Sequence, residues 1–102
     1  MPGFALSLLI AASATTTDAP PLRLGLCEAC HGRDGRARTP DAPHLGGQNE
    51  AYLKHALQQY RAGGREAPVM NGIAAMLSPA DIDALARWYA GQPWAAGEAE
   101  GR

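Results

Sequence analysis

Residues 24–35 read LGLCEACHGRDG and hold both cysteines of the chain, Cys27 and Cys30, with His31 directly behind the second. Two thiols and an imidazole at this spacing suit three chemistries: a redox disulfide, half of a metal site, or the covalent anchor of a haem. A thioredoxin-like dithiol belongs to alternating strands and helices, and the sequence shows no such alternation. A zinc site needs further ligands; His44 and His55 remain, neither at the paired spacing of structural zinc sites. The C-x-x-C-H order fits the third chemistry directly. One helical turn separates the two sulfurs by about the reach between two haem vinyl groups, and the next residue is directed beneath the macrocycle, where an imidazole can ligate iron.

The flanking composition points the same way. At 102 residues the chain is one small domain, and chains of this size bury a modest fraction of their surface. Residues 32–48 carry four glycines and two prolines, and residues 64–77 read as a second irregular loop. Loops that long are functional or disordered when nothing fills the space between them. A bound cofactor would supply the missing apolar surface. The formal charge of −1 argues against a nucleic-acid binder, which needs a basic excess.

The remaining segments read as helices, so the fold class is all-α. After Pro20–Pro21, Leu22, Leu24 and Leu26 begin a short segment that ends at the cysteines. Asn49 caps a helix running through Tyr60, with Tyr52, Leu53, Ala56, Leu57 and Tyr60 on one stripe and Gly63 as its stop. Ser78-Pro79-Ala80-Asp81 supplies an N-cap, a proline at the first helical position and an acid at the third; Ile82, Leu85, Ala86 and Tyr89 follow at helical spacing. The expectation is three or so short helices and long loops around one cofactor.

At the N-terminus an apolar run from Phe4 to Ala12 is followed by Ala12-Ser13-Ala14, the small-x-small pattern that signal peptidase reads. The run is too short to cross a bilayer as a helix. Residues 1–14 therefore read as a signal peptide, 15–21 as a flexible leader, 22–94 as the folded domain and 95–102 as an Ala/Gly-rich flexible tail. Export to the periplasm follows.

Three stretches, CEACHGRDG, APHLGGQNEAYLKHALQQYRAGGR and PVMNGIAAMLSPADIDALARWYAGQ, occur in this order over most of residues 27–92. Together they resemble a bacterial class I c-type cytochrome, a small periplasmic mono-haem protein similar to one domain of the tandem di-haem type. The resemblance implies a cytochrome c fold and one haem c held by thioethers to Cys27 and Cys30. It also implies His31 as proximal iron ligand, with the Pro43 carbonyl accepting a hydrogen bond from it, Leu45 packed on the haem face and Met70 as distal ligand. Trp88 and Tyr89 fall where the family's last helix packs near the first. The family's first helix is longer and bears a glycine for close helix crossing; here Pro20 and Pro21 occupy that stretch, so the helix is short or starts late.

Met76 is the alternative sixth ligand. It lies two residues ahead of Ser78, where an apolar filler is expected, whereas Met70 sits at the family's ligand position. Histidine and methionine together leave no open coordination site, and the soft thioether favours ferrous iron. The implied function is one-electron transfer by a carrier rather than an enzyme, with redox proteins as partners, among them a membrane-bound oxidase or reductase. The alternatives are a cytochrome subunit of a dehydrogenase or oxidase, and a haem enzyme with peroxidase-like activity should methionine not be bound. Residues 15–65 hold seven Lys/Arg and five Asp/Glu, residues 66–102 two and five, and Arg33, Arg36 and Arg38 follow the haem motif. This suggests a basic rim at the haem edge that steers an acidic partner.

Overall fold

The computed structural model describes Gly3 and residues 19–95. Four helices follow one another: α1 (Gly25–His31), α2 (Glu50–Ala62), α3 (Pro68–Ala75) and α4 (Pro79–Ala90). No strand occurs among the described residues. The signal peptide, residues 15–18 of the leader and residues 96–102 of the tail lie outside them.

Three helices stand where the sequence puts them. The Asn49 side chain accepts from the Tyr52 backbone N–H (2.9 Å), and Gly63, in the left-handed region at φ 81°, ends α2. Before α4, the Ser78 hydroxyl accepts from the Asp81 N–H (3.1 Å) while the Asp81 carboxylate accepts from the Ser78 N–H (2.9 Å), a closed capping box. Helix α1 starts late, at Gly25. Leu22 precedes it in a turn and is 98% exposed, so of the three early leucines only Leu24 is buried and Leu26 partly so.

The fourth helix corrects the reading of 64–77 as one loop. Within it, α3 begins at Pro68, whose missing N–H costs nothing in a first turn, and buries Ala74 completely. Helix α2 packs against both α3 and α4. The core joins Leu24 and Cys27, Leu53 of α2, Leu77 between α3 and α4, and Ile82, Leu85, Ala86 and Tyr89 of α4. The α4 residues are those its 3.6-residue stripe predicts.

The glycine-rich loop of 32–48 is ordered by backbone hydrogen bonds. The Arg38 N–H donates to the Cys30 carbonyl (2.7 Å), Leu45 N–H to Gly35 O (2.7 Å) and Gly47 N–H to Tyr89 O (2.9 Å). Gly35 sits at φ 85°, and a Cβ there would overlap the Gly46 backbone, so only glycine lets the two strands of the loop meet. Ala95, assigned to the flexible tail by composition, is buried and donates to Gly46 O (3.0 Å). The folded unit thus reaches at least one residue further than residue 94.

Candidate cofactor site

Between α1, the loop, α2, α4 and the segment from Arg65 to Met70 lies an open cleft. Cys27, His31, Pro43, His44 and Leu45 line it from α1 and the loop. Tyr52, Leu53, Ala56, Leu57 and Tyr60 line it from α2, Leu85, Ala86 and Tyr89 from α4, and Arg65 and Met70 from the remaining segment, with Gln48 at the end of the loop. Among the described residues no Asp or Glu faces it.

Of the residues singled out from sequence, Cys27, His31, Pro43, Leu45 and Met70 meet in this cleft. Cys30 does not line it: three residues on, it is turned about 60° round the helix from Cys27 and is exposed. His31 is buried, and its Nδ1 donates to the Pro43 carbonyl at 2.9 Å. A carbonyl only accepts, so the proton is on Nδ1 and the lone pair is on Nε2. That bond fixes both the tautomer and the ring's orientation. His44 is held the opposite way, its Nδ1 accepting from the Ala37 N–H (2.9 Å). Burial, with Glu28 adding to it, pushes the Cys27 thiol up to about 11, so the free thiol stays protonated at neutral pH.

The segment after His31 is clamped by the two aromatics of α4. The Tyr89 hydroxyl donates to Gly32 O (2.8 Å) and the Trp88 indole N–H to Arg33 O (2.7 Å). Tyr89 is buried, and its phenol is raised well above the ordinary tyrosine range, first by burial and then by Cys27, Glu28 and Asp34. At the other end of the cleft Arg65 stands between two tyrosines, its guanidinium 5.8 Å from the Tyr52 ring and 5.4 Å from the Tyr60 ring. Its Nη2 donates to the Tyr52 hydroxyl at 3.5 Å. Among the described residues Arg65 is the one Lys or Arg lining the cleft. No local pattern marks this group, because Tyr52 and Tyr60 read as members of an apolar stripe.

The three arginines of the expected basic rim are placed elsewhere. Arg33, Arg36 and Arg38 line a separate, polar hollow with Trp88 and Gln92, and Arg33 lies over the Trp88 ring at 5.7 Å. None of them lines the cleft. Met76, the alternative ligand, is 54% exposed and does not line it either.

A wide apolar cleft that faces no acid, carries one cation, and offers a tautomer-fixed imidazole and a thioether is suited to a large flat apolar group that ligates through a metal and bears carboxylates at one edge. Among the described residues no three His, Cys, Asp or Glu side chains gather as a protein-only metal site would need.

Comparison with known proteins decides the group. Over 73 residues the chain is 40% identical to cytochrome c-554(548) of Halomonas halodenitrificans, a match spanning 69% of this chain and 88% of that protein. The chain belongs to the class I c-type cytochromes. It is also 35% identical to cytochrome c4 of Pseudomonas aeruginosa over 78 residues, and 39% identical over 84 residues to a thiosulfate dehydrogenase electron acceptor of Thiomonas intermedia. These matches span 76% and 81% of the chain but only 39% and 38% of those longer proteins. No family profile matches the chain. Membership in the class makes the all-helical architecture a cytochrome c fold, the cofactor a covalently attached haem c and the activity one-electron transfer.

Proposed function

We propose that the chain carries one electron on a haem c bound by thioethers to Cys27 and Cys30, with His31 and Met70 as axial ligands. The observation that carries this reading is the His31–Pro43 hydrogen bond, which presents Nε2 of a buried imidazole within the same apolar cleft that Met70 lines. When bound, haem supplies an iron that cycles between ferrous and ferric. The chain's own residues do the rest. Pro43 O polarises the imidazole and strengthens it as a donor. Leu45, Leu53 and Leu57 exclude water, which disfavours the extra charge of ferric iron. Arg65 supplies the countercharge for the haem carboxylates, its guanidinium fixed by Tyr52 and Tyr60.

With His31 and Met70 both holding the iron, substrate would be kept from it, and the domain would work as a carrier rather than as an enzyme. The apolar run of residues 4–12 and the A-x-A pattern behind it support export to the periplasm. No helix of the described residues is long and apolar enough to cross a membrane. Relatives named as electron acceptors of thiosulfate dehydrogenase favour a dehydrogenase as donor and a further redox protein as acceptor.

The test is optical. Oxidised holoprotein should show the weak near-infrared sulfur-to-iron charge-transfer band, and Met70→Ala should abolish it, lower the potential and open the sixth position to carbon monoxide in the ferrous form. Survival of the band in Met70→Ala would overturn the ligand assignment.

A further inference from the structure

One side chain beside Met70 spends both of its donors and its acceptor oxygen on the backbone around it. The Asn71 side-chain carbonyl accepts from the Ala67 N–H (2.9 Å), and its amide nitrogen donates both to Tyr60 O (2.8 Å) and to Arg65 O (2.7 Å). The three partners lie on three pieces of chain. Tyr60 belongs to the last turn of α2, where carbonyls have no helical partner ahead of them. Arg65 belongs to the connection, and Ala67 is the residue that begins α3 without a cap from its own side chain. Asn71 is half-buried and reaches back from the first turn of α3 to do what no other side chain there does.

The geometry points to Asn71 as the positioning residue that holds Met70 in the cleft and thereby keeps the sixth coordination position closed; this rests on the reading of Met70 as iron ligand. Met70 is only half-buried, and its neighbours Pro68 and Val69 are exposed, so apolar burial does little to fix the backbone that carries it. The shape of residues 60–71 is set by hydrogen bonds, and three of them converge on one amide. Only an amide of this length fits. Aspartate keeps the acceptor and loses both donors, glutamine is one methylene too long, and alanine leaves the Ala67 N–H and the Arg65 carbonyl to water and Tyr60 O with only its longer bond from the Gly63 N–H (3.3 Å). With the clamp open, the segment samples states in which the thioether has left iron. An external ligand competes only with that open fraction, so its apparent dissociation constant falls as the fraction rises.

The experiment uses holoprotein, whose haem stays covalently attached in every variant. Imidazole is titrated into the ferric protein while the near-infrared band is followed, and carbon monoxide is mixed with the ferrous protein. Asn71→Ala and Asn71→Asp are compared with Asn49→Ala, which removes a side-chain cap of the same chemistry at the far end of α2. Asn71→Ala should bind imidazole at least tenfold more tightly and take up carbon monoxide at least tenfold faster than the native protein. Asn71→Asp should lie between, and Asn49→Ala should match the native protein in both. Native behaviour in Asn71→Ala overturns the proposal, as does an equal change in Asn49→Ala, which would mark general loosening. Should Asn71→Ala give no holoprotein, Asn71→Asp decides by the same two readouts. The Met70→Ala spectrum stands apart: loss of its band with native behaviour in the Asn71 variants leaves the ligand reading intact and sinks only the clamp.

Discussion

The two walls of the cleft are held by different means. On the histidine side, α1 and the loop of 32–47 are sewn together by backbone bonds, by glycines that allow the backbone to touch itself, and by the Tyr89 and Trp88 clamps on Gly32 and Arg33. The methionine side runs through the 63–67 connection and a two-turn helix, with exposed apolar residues and one side-chain amide tying three pieces of chain. Burial follows the same division: His31 is buried, Met70 is half-buried. With His31 and Met70 as the proposed ligands, this division would keep one ligand fixed by the fold and leave the other where coordination is most easily opened.

The largest effect should come from withholding the cofactor, since residues of both walls line its cleft. Ordering the backbone costs about 1–2 kcal/mol per residue, and the empty cleft returns too little apolar contact for the two loops. Chain made in cells without haem attachment, or with both Cys27 and Cys30 changed to Ser, should show no cooperative thermal transition in near-ultraviolet circular dichroism. A transition matching that of the holoprotein would break the claim that haem completes the core for both walls alike.

Next come two glycines with similar backbone angles, one in each region. Gly35 (φ 85°) and Gly63 (φ 81°) both lie in the left-handed region, where a side chain costs roughly 1–2 kcal/mol. Nothing lies within 4 Å of a Cβ at Gly63, whereas at Gly35 it would overlap the Gly46 backbone. Gly63→Ala should therefore lose about that amount in urea denaturation of the holoprotein. Gly35→Ala should lose distinctly more and lower the yield of holoprotein. Equal losses would show that the histidine-side loop yields as readily as the connection on the other side.

How much of this was legible beforehand depends on what holds each part. The capping box of Ser78 and Asp81, the Asn49 cap and the stripes of α2 and α4 are written in side chains, and the structure has them as read. Helix α3 escaped because Ala67 offers no cap and Gly72 interrupts a stretch with β-branched Val69 and Ile73; Pro68 at its first turn was the available signal. The order in residues 32–47 escaped for a different reason. Bonds such as Leu45 N–H to Gly35 O are made by backbone, so the residues involved read only as flexible loop. The Arg65–tyrosine group and the Asn71 clamp need contacts across turns and connections that no local pattern encodes.

A smaller effect is expected from Tyr89→Phe, which removes one clamp on the histidine side. Gly32 O would keep only the longer bond from the Gly35 N–H (3.4 Å), so the loss should be about 1 kcal/mol, the low end for an orphaned buried acceptor. The variant should also change the response to base. Because the phenol is raised in the folded state, its contribution is complete below the unfolded value of about 10 and declines as pH rises beyond it. Native holoprotein should lose stability above that pH, and Tyr89→Phe should lose less of it. Identical alkaline profiles would mean that Tyr89 does not carry this linkage.

Smallest of all should be Met76→Ala, and its smallness sharpens the comparison on the methionine side. Read from sequence, Met76 was the rival ligand and, failing that, an apolar filler ahead of Ser78. The structure leaves it 54% exposed and away from the cleft, so neither role has the contacts it needs. Truncating a surface side chain of this kind changes stability by about 0.5 kcal/mol or less. The near-infrared band, the potential and the carbon monoxide rate should all stay native, while Met70→Ala moves every one of them. A band that vanished in Met76→Ala would exchange the two methionines. Because Met76 lies one residue past the end of α3, that result would also mean that the helix turns over to deliver its other end to iron, and the backbone set by Asn71 would be the wrong end to fix.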